Sequence, residues 1–150
     1  EIMVKVEQPL GIISVFIWVG MITAISFMEA WLKFRAPGVT LPIGLGIGRL
    51  VFGALNRVEW VLAVVVTAGM LFGKKNMVRQ SLMGIVLLVL ALQTFWLLPA
   101  LDKRADIYIN GQTPGPSSLH IYFVAAESLK LICLTITGIL FLEKNKNYGK

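Results

Sequence analysis

In a chain of 150 residues, 57% hydrophobic side chains against 15% charged ones leave too little polar surface to cover a water-soluble fold, so the expected solvent is lipid. The formal charge of +6 requires no nucleic-acid partner, because lysines flanking membrane helices and facing anionic lipid account for it. One cysteine, Cys133, excludes an internal disulfide and any CxxC redox pair, and reads as a small apolar filler.

Crossing hydrocarbon of ~30 Å at 1.5 Å per residue takes ~20 residues, and four runs meet or approach that length. The first, LGIISVFIWVGMITAISFMEAWL, covers 10–32 and stops before Pro37-Gly38. It exceeds a signal-peptide core, no small-residue cleavage pattern follows it, and it is read as a retained span. The second is expected over 41–72, with Thr40 as cap and Pro42 in the first turn, because VLAVVVTAGMLF alone is too short to cross and must borrow the polar stretch before it. The third is expected over 81–101, closed by Pro99. The fourth covers 119–142, capped by Ser117 or Ser118. GKKNMVRQ reads as a tight turn, and DKRADIYINGQTPGPSS as a long loop outside the membrane. The expected fold is therefore all-α: one domain, an integral membrane four-helix bundle.

Lys5, Lys74, Lys75, Arg79, Lys144, Lys146 and Lys150 lie on one side, against Lys33, Arg35, Lys103 and Arg104 on the other. That balance predicts cytoplasmic termini, in a bacterial inner membrane. The ionisable residues within the runs then fall in the outer leaflet: Glu29, Arg49, Arg57, Glu59, His120, Glu127 and Lys130, with Asn56 and Gln93 beside them. Helical phase puts Arg49, Phe52, Asn56 and Glu59 on one face, Ser26, Glu29 and Lys33 on another, and His120, Glu127 and Lys130 on a third.

Such groups must face other helices or water. They are expected either to neutralise one another or to line an outward-facing pocket for an anionic or zwitterionic ligand. The expected pairs are Glu29 with Arg49 or Arg57, Glu59 with Arg57, and Glu127 with Lys130. Arg49, Asn56 and Glu59 are expected to point at the first and fourth helices. Gly44-Gly48, with Gly53 and Gly69, reads as a close-packing face rather than a nucleotide loop, since no strand precedes it. Trp18, Trp31, Trp60 and Trp96 read as interfacial anchors. His120 stands alone, which rules out bis-histidine haem ligation within the chain.

WVG with SFMEAWLKFRAP, then GIGRLVFGALNRVEW, then LHIYFVAAESLKL, resemble the small four-helix membrane proteins grouped with transmembrane protein 205. The resemblance implies the four-helix fold and marks Glu29, Lys33, Phe34, Arg49, Phe52, Asn56 and Glu59 as signature positions. It implies little chemistry; an association of the group's animal members with drug resistance makes export one expectation. No nucleophile and base, metal quartet or cofactor box is legible. The expected role is a non-catalytic accessory protein without cofactor or metal, docking to itself or to a larger membrane complex; the alternative is a small transporter or ligand-binding protein using the polar cluster.

Overall fold

A computed structural model of the chain describes residues 8–73 and 75–142; Lys5, Lys74, Lys144, Lys146 and Lys150, which carry most of the charge argument for orientation, lie outside them. Among the described residues there is no strand, and four helices are each long and apolar enough to cross a membrane: α1 Pro9–Arg35, α2 Leu41–Phe72, α3 Met77–Ile109 and α4 Leu119–Leu142. They form an up-and-down bundle. One end, the terminal end, holds Pro9, Phe72, Met77 and Leu142; the other, the loop end, holds the α1–α2 and α3–α4 connections.

The helix α2 runs unbroken through its glycines, with Pro42 in the first turn. Thr40 caps through its carbonyl, which accepts from Gly44 N–H at 2.9 Å, and not through its side chain. At α4 it is Ser117 that caps, its Oγ accepting from Leu119 N–H at 3.2 Å. The tight turn before α3 carries a further cap, Asn76 Oδ1 accepting from Arg79 N–H at 3.1 Å.

The third helix departs from expectation. It does not close at Pro99 but continues to Ile109, where Gly111 at φ +78° lets Gln112 N–H reach back 3.0 Å to the Ile107 carbonyl. A proline inside a helix lacks a donor and crowds the carbonyl four residues earlier. Here a wide π turn, Gln93–Leu97, immediately precedes it and gives the ring room; Leu98 N–H bonds Gln93 O five residues back. A second π turn, Thr23–Glu29, widens α1, with Ala30 N–H bonded to Ile25 O.

In lipid, helices associate through close packing more than through burial of apolar surface. The core toward the terminal end is built from Val15, Trp18 and Ile22 of α1, Ala63, Val66 and Met70 of α2, Met83, Val86 and Leu90 of α3, and Cys133 and Leu134 of α4. Gly44 and Gly48 are buried under α1: a Cβ on Gly44 would fall within the Phe34 ring, and one on Gly48 would crowd Lys33 Nζ. Gly46 and Gly53 have nothing within 4 Å, so Gly53 does not belong to this packing face. Gly44→Ala is therefore expected to lower stability in mild detergent by about 1–3 kcal/mol through overpacking. Gly46→Ala, two residues away, is expected to be neutral or slightly stabilising, and thermal unfolding of the two variants side by side checks both.

Candidate functional site

The centre of the bundle holds charge. Lys130 of α4 is fully buried, and its Nζ bonds Glu59 Oε1 of α2 and lies 3.0 Å from Glu127 Oε1 one turn back along α4. Each carboxylate has further donors. Trp18 Nε1 of α1 donates to Glu59 Oε1 at 2.9 Å, Ser26 Oγ of α1 donates to Glu127 Oε2 at 3.1 Å, and Gln93 Nε2 of α3 donates to Glu127 Oε1 at 2.6 Å. All four helices thus converge on one network.

The two π turns bring two of these donors in. Ser26 lies within the first and Gln93 opens the second, and both meet Glu127. A π turn shifts the phase of the residues it contains relative to a regular helix, a device frequent at functional sites. The network is unequal in charge, with two carboxylates around one ammonium. In a low-dielectric interior such an excess is costly unless a proton or another cation offsets it. Gln93 Oε1 is also buried without a hydrogen-bond partner, so an acceptor beside Glu127 is left open as well.

A cavity of about 220 Å³ reaches this network. Glu127 and Ser26 line it at depth, while Trp31 and His120 line it toward the loop end; Phe27, Phe52 and Phe123 are among its walls. Phe52 and Phe123 meet edge to face, with ring centroids 5.1 Å apart.

The remaining candidates are distributed differently from the sequence reading. Glu29 pairs with neither arginine but with Lys33, 3.3 Å away one turn along α1, and Lys33 Nζ also lies 5.3 Å from the centre of the Phe52 ring. Arg49 does not face α1 and α4. Its guanidinium forks onto Asp106 of α3, with Nη2 3.1 Å from Oδ2, and its Nε lies 3.7 Å from Asp102. Asn56 also faces α3, where its Nδ2 donates to Thr94 Oγ1 at 3.0 Å beside Trp60 Nε1, which donates to the same oxygen at 3.0 Å. In its stripe Glu59 meets α1 and α4, as Phe52 does through Lys33 and Phe123, while Arg49 and Asn56 turn to α3; the cation of Glu59 is Lys130, not Arg57. Arg57 is exposed on the opposite side of α2, without an ion pair or hydrogen bond to any described residue. Trp18, read as an anchor, is fully buried and serves as a donor.

Asp102 and Asp106 are not legible as site residues in the sequence, because Pro99 reads as the end of the third span and both then fall in a loop. Carried three residues and seven residues past Pro99, the helical phase would have put both aspartates on one face. Ser26 and Gln93 lay on the right segments, but the phase of a regular helix does not aim them both at Glu127. Among the described residues no group of three or more His, Cys, Asp or Glu side chains is placed to hold a metal ion. Comparison with known proteins returns no family model, curated protein or solved structure that matches the chain.

Proposed function

We propose that this is a non-catalytic membrane binding protein that takes a small organic cation, of the size and kind of an aromatic amine, into the cavity above Glu127. The observation that carries this reading is the surplus carboxylate of the Glu59–Lys130–Glu127 network, which borders an aromatic-walled cavity. An ammonium there would offset the surplus and gain cation–π attraction from rings such as Phe52 and Trp31. The anionic or zwitterionic ligand expected of a pocket lined by the polar cluster fits less well, since Arg49 is clipped to α3 and Arg57 faces away. With the termini in the cytoplasm, as the basic residues suggest, the cavity would open toward the opposite side of the membrane. Export, which the resemblance to the transmembrane protein 205 group brings in, would use the same site.

Trp31 lines the cavity and reports on it. In lipid nanodiscs, phenethylamine is expected to quench tryptophan fluorescence saturably, and phenylacetate, of similar shape and opposite charge, is not. Glu127→Gln is expected to weaken the amine at least tenfold while leaving the protein folded. Equal binding of amine and acid, or an unchanged affinity in Glu127→Gln, would overturn the reading. A docking role is favoured separately by Arg57, on the other side of α2.

A further inference from the structure

We infer that the exposed face of α2 around Arg57 is a docking surface for a membrane helix of another protein that presents a carboxylate near the middle of the bilayer. The argument begins with depth. Lys130 stands at the midpoint of α4, about 17 Å from either end of that helix, and its bond to Glu59 ties the middle of α2 to the same level. Arg57 precedes Glu59 by two residues, about 3 Å along the axis and about 200° around it. It therefore lies at the level of the buried network but outside the bundle.

The surroundings of Arg57 are those of a lipid-facing surface. One turn to either side, and beyond, the same face presents Leu50, Ala54, Val61 and Val64, all exposed, with Leu50 at 76% and Val64 at 66%. No described residue pairs with the guanidinium. From the middle of a hydrocarbon layer of ~30 Å each headgroup region is about 15 Å away, whereas a snorkelling side chain covers roughly half of that. A headgroup phosphate is thus out of reach, and an arginine facing hydrocarbon at this depth is costly without a partner.

Complementarity selects the partner. A symmetric pair of this chain through the same face would set Arg57 against Arg57, and the described carboxylates of Glu29, Glu59, Asp102, Asp106 and Glu127 are already engaged within the chain. An acid on a different helix meets both requirements. Ala54, one turn from Arg57, leaves room for that helix beside the guanidinium, and the ion pair would set its register, as single polar positions do in helix pairs.

The test uses the full chain in lipid vesicles, carrying a fluorescent donor, with synthetic leucine-alanine membrane peptides carrying an acceptor and a single central Glu, Gln or Lys. Energy transfer is expected to show at least tenfold preference for the Glu peptide over the Gln peptide, and no association with the Lys peptide. The preference is expected to vanish in Arg57→Leu and to survive in part in Arg57→Lys. Arg57→Leu removes an exposed charge, so its melting temperature without peptide is expected to be unchanged or higher, which separates loss of docking from loss of fold. Equal binding of the Glu and Gln peptides, an unaltered preference in Arg57→Leu, or energy transfer between two labelled copies that depends on Arg57, would overturn the inference.

Discussion

Lys130→Met is expected to cost about 3–5 kcal/mol of stability, the range found when one partner of a buried ion pair is removed and the opposite charge is left behind. The loss here is sharpened because two carboxylates, not one, lose their cation: Glu59 and Glu127 both converge on Lys130 Nζ. Denaturant or thermal unfolding in mild detergent measures it. Adding Glu59→Gln to Lys130→Met is expected to recover part of the loss, since one uncompensated charge is then removed; additive penalties would show that the three groups do not act as a unit. Glu59→Gln alone leaves one carboxylate to one ammonium and is expected to be the mildest of the three variants.

Trp18→Ala is the second large effect expected, at roughly 3–5 kcal/mol, the range for truncating a buried large ring, in which the cavity left behind adds to the lost transfer energy. Trp18 is fully buried in the core and also donates to Glu59, so truncation both opens a void and withdraws a hydrogen bond from a charged acceptor. Trp18→Phe retains most of the packing and only removes the donor; it is expected to cost about 1–2 kcal/mol. A Phe variant as damaged as the Ala variant would mean that the indole N–H, not the ring volume, dominates. The comparison is made by unfolding the two variants under identical detergent conditions.

The four spans were legible because hydrocarbon imposes a length, and Val61–Phe72 could meet that length only by recruiting the polar residues before it. What the proline suggested about α3 was wrong for a local reason, since the π turn at Gln93–Leu97 admits Pro99 and the charged DKRADIYI segment continues as helix. The polar residues themselves were legible one by one. With one exception, their partners were not. Pairing Glu59 with Arg57 looked natural at a separation of two residues, yet two residues on a helix point to nearly opposite sides, and the partner came from α4 instead. Glu127 and Lys130, spaced one turn apart on one helix, are the pair that spacing alone could suggest, and they are in contact. Arg49 and Asp106 meet across helices that are adjacent only once α3 is long enough.

The π turn at Thr23–Glu29 also sets a phase for everything that follows it in α1. Each wide turn holds one residue more than an α turn would, and one residue is worth about 100° of rotation about the axis. Deleting a single residue within 23–29 would restore a regular helix at little cost to α1 itself. Because the wide turn absorbs its extra residue, the deletion would leave Ala30–Arg35 in phase, with Phe34 still on Gly44 and Lys33 still beside Glu29 and Phe52, and would change the phase only within the turn, where Ser26 meets Glu127. The loop-end half of α1 thus keeps its alignment when one residue of the turn is removed, whereas straightening the turn with all its residues in place would swing that half by about 100°.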